Sequence, residues 1–146
     1  MKTIIVTLSL AFTSVFLNAQ TEVVTEELAT SATETITVTV PVQSDEGNVV
    51  FGLYDETSFM KQPLVGLEGE IKEGKTTVTF ENVEPGTYAI LLFHDKNGNK
   101  QMDFEPNGMP TEPYGVSNNV MSMGPPLWSD AKFEVTDEPI ELEIRM

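Results

Sequence analysis

Residues 35–40 read Thr-Ile-Thr-Val-Thr-Val, and no other stretch restricts the backbone so tightly. Strict alternation of apolar and polar residues matches the two-residue period of a strand and no helical period. Ile36, Val38 and Val40 fall on one face and the threonines on the other, which predicts a half-buried strand that Pro41 ends or leaves at an edge. Residues 48–54 predict a second strand, entered through the turn residues 44–48. Asp55 or Thr57 predicts a cap on one helical turn before Pro63. A glycine-broken strand is expected within 66–74 and a stronger one over 75–80, with Val78 and Phe80 inward. Residues 131–136 and 139–146 alternate again and predict a closing hairpin at 137–139.

Tyr88 to Phe93 is apolar on both faces, the mark of a central strand covered on both sides. If pairing continues past it, His94 shares a face with Tyr88, Ile90 and Leu92. Asp95 then falls with Ala89, Leu91 and Phe93, which disfavours a direct His94–Asp95 catalytic pair. From Asp95 to about Asp130 strand signal fades into proline, glycine and asparagine, and connections beyond about 12–15 residues are often functional. The expected fold is all-β: an antiparallel β-sandwich of about seven strands with one long Pro/Gly/Asn-rich loop insertion.

The chain has no cysteine, so the disulfides that brace many small exported domains are absent from its means of stability. Export is expected nonetheless. Lys2 is followed by an apolar run from Ile4 to Leu17 and then by Ala19, the layout of a secretory leader covering residues 1–19. The run falls short of the roughly 20 residues that a membrane helix needs. No second run spans a membrane, and no lipid-anchor cysteine follows the cut. Residues 20–34, rich in Thr, Glu and Ala, read as a disordered linker. Residues 35–146 form the single domain, about 110 residues, an ordinary size for one core. The expected location is secreted or periplasmic.

The formal charge is −15, and one unit more negative once Lys2 leaves with the leader. That argues against nucleic acid and anionic membrane surfaces and favours cations as ligands. The densest group of suitable oxygens follows the only histidine. Asp95, Asn97, Asn99 and Asp103 stand at positions 1, 3, 5 and 9 of an EF-hand-type loop, and the Gln101 carbonyl at position 7 completes the arc. Calcium is the expected ion. Position 6 is Lys100, where glycine normally allows φ > 0, and its cation must then point away. Position 12 is Pro106, so Glu105, or Glu112 folding back, must stand in for the missing bidentate glutamate. The same residues also populate turns that hold no metal, and the spacing fits both.

The run from Phe80 to Asp103, then residues 108–119, then residues 124–135 resemble the bacterial domain-of-unknown-function family 2141. Three motifs in the same order carry the resemblance, over roughly residues 35–146. It implies a secretion signal followed by one small domain, and no catalytic residues. The family's loop pattern reads HD-x-N-x-N-G-x-L-D. His94, Asp95, Asn97, Asn99 and Asp103 match it, Lys100 departs at the glycine, and Met102 replaces leucine. The stretch Phe80 to Tyr88 is also similar to transthyretin-like and carboxypeptidase-regulatory-like sandwiches, which implies the same fold.

Function is expected to be binding or accessory rather than catalytic. His94, Tyr114, Ser117, Asn118 and Asn119 are the candidate ligand-binding residues, with Trp128 nearby. Aromatics beside amides suit a small ligand, a glycan or an envelope protein, and the domain is expected to be monomeric. The alternative is a secreted hydrolase or glycan-active enzyme using His94 and the loop carboxylates. No G-x-S-x-G elbow, cysteine nucleophile or second histidine for zinc accompanies them. Tyr114 and Trp128 also fit a plainer role, pinning the loop to the sheet.

Overall fold

The computed structural model describes residues 33–121 and 124–146; the leader and nearly all of the linker lie outside them. Eight strands follow in order: β1 (Glu34–Pro41), β2 (Asn48–Tyr54), β3 (Val65–Glu70), β4 (Lys75–Val83), β5 (Gly86–Asp95), β6 (Tyr114–Val116), β7 (Phe133–Val135) and β8 (Ile140–Glu143). They form a three-stranded sheet, β4-β1-β8, and a five-stranded one, β3-β2-β5-β6 with β7 also on β5. Among the described residues helix is confined to a 3-10 turn at Ser117–Asn119 and one turn, α1 (Trp128–Ala131).

The alternation of β1 plays out as its pattern predicts. Ile36, Val38 and Val40 are fully buried. On the outer face the hydroxyl of Thr37 meets that of Thr79, and Thr39 meets Thr77, each at 3.1 Å. Phe80 and, partly, Val78 of β4 join Ile36 and Val38 in the core, where they meet Phe51, Leu53, Ile90 and Leu92 of the larger sheet. The core therefore lies between two sheets, in a sandwich-like arrangement. Burying each large aliphatic or aromatic side chain contributes about 1.5–3 kcal/mol.

β5 is central, between β2 on one side and β6 and β7 on the other. Ile90 and Leu92 face the main core. Ala89 and Leu91 face a second cluster with Val116, Ala131, Phe59 and Trp128. That two-sided cover is why the strand is apolar throughout.

Five expectations need correction. The described residues hold eight strands rather than seven. The closing pair is not a hairpin: β7 lies antiparallel on β5, while β8 lies beside β1. The β1–β8 pair is parallel, so the sandwich is not wholly antiparallel; the link through Pro139 passes from one sheet to the other instead of turning back. The long insertion is also not strandless. β6 pairs with Leu91–Phe93 of β5, and Phe104 bridges Pro110 at the tip of a short ribbon. Over residues 55–62 the chain makes turns rather than a helix. Asp55 still caps as predicted: its carboxylate accepts the Ser58 N–H at 2.7 Å, and its carbonyl accepts the Phe59 N–H at 3.0 Å.

Candidate functional site

The loop begins where β5 leaves the sheet. Asp95 pairs with Asn48 across β2 and is fully buried. A buried carboxylate needs partners, and the next turn supplies them. Oδ1 of Asp95 accepts the N–H of Gly98 at 2.7 Å and of Asn99 at 3.2 Å. Oδ2 accepts the N–H of Lys100 at 2.8 Å. Gly98 takes φ 73° and Lys100 takes φ 62°. Position 6 thus adopts the left-handed backbone that glycine normally serves, although lysine occupies it. The Lys100 ammonium points away, as that position demands, and meets Glu68 of β3 at 2.7 Å. The Glu68 carboxylate, by hydrogen bond and charge, raises its pKa.

Two of the other predicted side chains, Asn97 and Asn99, meet on Asp103 through their amide nitrogens. Asn97 Oδ1 accepts the Asn99 N–H at 3.0 Å, and Asn99 Oδ1 accepts the Gln101 N–H at 2.8 Å. Their Nδ2 groups both donate to the Asp103 carboxylate, at 2.6 Å from Asn97 and at 3.0 Å and 3.1 Å from Asn99. Gln101 is exposed. The ribbon from Asp103 to Thr111 then brings Glu112 back to the loop base, where it is only 7% exposed. Glu112 accepts the N–H of Lys96 at 3.2 Å and that of Asp103 at 3.3 Å.

Three acidic residues therefore bound one turn, and among the described residues no ion pair reaches Asp95, Asp103 or Glu112. Asn48 adds a fourth feature. Its Nδ2 donates to Glu68 at 2.9 Å, which fixes the amide, and its Oδ1 is buried with no hydrogen-bond donor. Among the described residues no three His, Cys, Asp or Glu side chains gather closely enough to hold a metal by themselves. A cation here must draw on amide and carbonyl oxygens as well.

The chain matches the family model described as an uncharacterized protein conserved in bacteria (DUF2141) over residues 36–143. The chain belongs to this family. No curated relative and no solved structure matches it. Among the described residues, no helix of this family member is long and apolar enough to cross a membrane.

The candidate ligand-binding residues do not meet in one place. His94 is 2% exposed, and its Nε2 lies 2.6 Å from the Glu46 carbonyl oxygen. Tyr114 lies beside Leu127 in a small depression elsewhere. Ser117 Oγ donates to the Ala131 carbonyl and accepts the Ile90 N–H. Asn118 Nδ2 donates to the carbonyls of Asp130 and Lys132. Asn119 exchanges two bonds with β8's end, donating to the Glu143 carbonyl and accepting the Arg145 N–H. The polar atoms of these three residues fasten the chain after β6 to β5, α1 and β8. Trp128 packs edge-on against Phe59, which in turn meets Tyr54.

Sequence reasoning passed over Asn48, Gly47 and the groove beside His94. Gly47 takes φ 71°, and a Cβ there would stand 2.1 Å from the Asp95 carbonyl oxygen. A glycine among turn residues signals a turn, and only the fold reveals what crosses it.

Proposed function

We propose that this family member is an exported β-sandwich module with an accessory or ligand-binding role, whose 95–103 loop is stabilised by calcium. One observation carries the ion: the Asn97 and Asn99 side chains meet on Asp103 and the Asp95 carboxylate holds the backbone of the same turn, while position 6 takes a left-handed backbone. The residues present fit the ion. Each Asn Oδ1 accepts one N–H and keeps a second lone pair, and a cation entering beside Asp103 takes the place of the Nδ2 groups as the two amides turn. The orphan Oδ1 of Asn48, directly across from Asp95, and the buried Glu112 carboxylate supply further oxygen near the turn. Hard oxygen ligands of this kind suit calcium better than magnesium, which demands stricter octahedral geometry.

The leader in the sequence supports export. The two-sheet core together with the Phe80–Tyr88 motif supports a transthyretin-like arrangement. His94 is 2% exposed and Asp95 is fully buried on three N–H groups, so neither is presented to a substrate, which favours binding over catalysis.

Thermal melting in calcium, magnesium and chelator tests the proposal. A dissociation constant near about 0.1 mM at about 2 mM calcium corresponds to roughly 1.8 kcal/mol. A rise in calcium that magnesium does not match, lost in Asp103→Ala, is the expected result. Identical melting in all three solutions overturns it.

A further inference from the structure

The long insertion carries two Asn-Gly pairs, Asn97-Gly98 and Asn107-Gly108. A glycine nitrogen has no side chain beside it, so it reaches the Cγ of the preceding asparagine more easily than any other residue's. The two asparagine carbonyls are matched. Asn97 Oδ1 accepts the Asn99 N–H at 3.0 Å, and Asn107 Oδ1 accepts the Met109 N–H at 2.9 Å. Both bonds draw electrons from Cγ and favour attack there.

The attacking nitrogens and the leaving amides are not matched. The Gly98 N–H is held at 2.7 Å by the Asp95 carboxylate, which is fully buried. A bond to an ionised acceptor is about twice as strong as a neutral one, and a buried anion opposes the negative charge that the nitrogen must take on. The Asn97 amide is held on Asp103 at 2.6 Å, beside that of Asn99. The Gly108 N–H donates instead to the neutral carbonyl of Glu105 at 2.8 Å. The Asn107 amide meets the Glu105 carboxylate more loosely, at 3.1 Å. Every residue from Phe104 to Thr111 is exposed, so water screens that carboxylate. The tip is closed by the Gly108 bond and by that from the Glu105 N–H to the Met109 carbonyl, and exposed turns of this kind open at little cost.

We propose that Asn107 is a site of spontaneous deamidation, and that the 95–103 loop protects Asn97 from the same reaction. The Gly108 nitrogen gives up its proton and attacks Asn107 Cγ. The new N–Cγ bond forms, the Cγ–Nδ2 bond breaks, and the amide leaves as ammonia, taking up that proton. Water then opens the cyclic imide at one carbonyl or the other, to aspartate or to isoaspartate. Either product sets a second anion beside Glu105. Isoaspartate also adds a methylene to the backbone of the turn, which breaks the pairing of Glu105 with Met109. The ribbon tip thus changes slowly and in one direction while the loop stays intact. The proposal goes beyond the calcium reading and does not require the ion.

Incubation of the chain at mildly alkaline pH in chelator tests it. Peptide mass mapping follows the exchange of NH2 for OH at each asparagine, and an isoaspartyl assay follows the second product. Each rate is divided by the rate of the same pair in the urea-unfolded chain, where local sequence alone governs it. In the folded chain this ratio is expected to be about tenfold larger for Asn107 than for Asn97. Asp95→Asn, which weakens the hold on the Gly98 N–H, should raise the Asn97 ratio about tenfold and leave Asn107 unchanged. Asn107→Gln should abolish the reaction at the tip. Equal ratios for the two pairs in the folded chain overturn the proposal. So does a larger ratio for Asn97, or an Asn107 that stays intact in the folded chain over the time in which the urea-unfolded chain is converted.

Discussion

The carboxylate of buried Asp95 accepts the backbone N–H of Lys100 at 2.8 Å, five residues along the chain. That contact closes the turn and sets the direction in which Asn97 and Asn99 face Asp103. Asp95→Ala removes the acceptor of three N–H groups and is expected to cost about 2–4 kcal/mol. Asp95→Asn keeps one oxygen and should lose roughly half as much. Urea unfolding in chelator checks both, with the cation's contribution removed.

Lys100 sits at φ 62°, a conformation that costs a side chain roughly 1–2 kcal/mol. Lys100→Gly relieves that strain and gives up only a solvent-exposed ion pair with Glu68, which carries little weight. The net expectation is a gain in stability, read as a higher urea midpoint at unchanged slope. Calcium affinity should rise with it, because position 6 then matches the glycine of a calcium loop.

Gly47→Ala has no comfortable solution. Its φ is 71° and its new methyl would meet the Asp95 carbonyl and the Lys96 Cα, at 2.1 Å and 2.8 Å. The backbone must shift on one side or the other. A loss of more than about 3 kcal/mol is expected, seen as a large fall in melting temperature.

Ser117 donates to the Ala131 carbonyl and accepts from the Ile90 N–H while fully buried. Ser117→Ala strands both partners, at about 2–4 kcal/mol. Calorimetric melting checks the stability.

The Asp55 carboxyl is held below its ordinary value of 3.8 chiefly by the backbone N–H of Ser58, then by the Thr57 and Ser58 side chains. A depressed folded value means that the unfolded chain binds its proton first as pH falls. The contribution is present above the ordinary value and is lost as pH falls through the folded one. Asp55→Ala should therefore flatten the acid limb of the stability profile below about pH 4 and leave the neutral limb parallel to wild type. Urea midpoints across that range measure it.

The sequence by itself determined which residues are inside and which turns need special chemistry. The alternation of Ile36, Val38 and Val40 was enough to assign the buried face of β1, because side chains on a strand alternate whatever the strand pairs with. The unbroken apolar run of β5 required cover on both sides, and the EF-hand-type spacing from Asp95 to Asp103, one of two readings it allowed, placed a left-handed residue at Lys100, where the structure has one. Only the tertiary structure decided partners. A period-two pattern records burial, but the ladder is made by backbone groups common to every residue, so the hairpin expected at 137–139 failed: β8 lies parallel to β1 and β7 antiparallel to β5. The groove beside His94 was hidden for the same reason. Ser44, His94 and Arg145 belong to distant parts of the chain, and the pairing of β5 with β2, and of β1 with β8, brings them to one end.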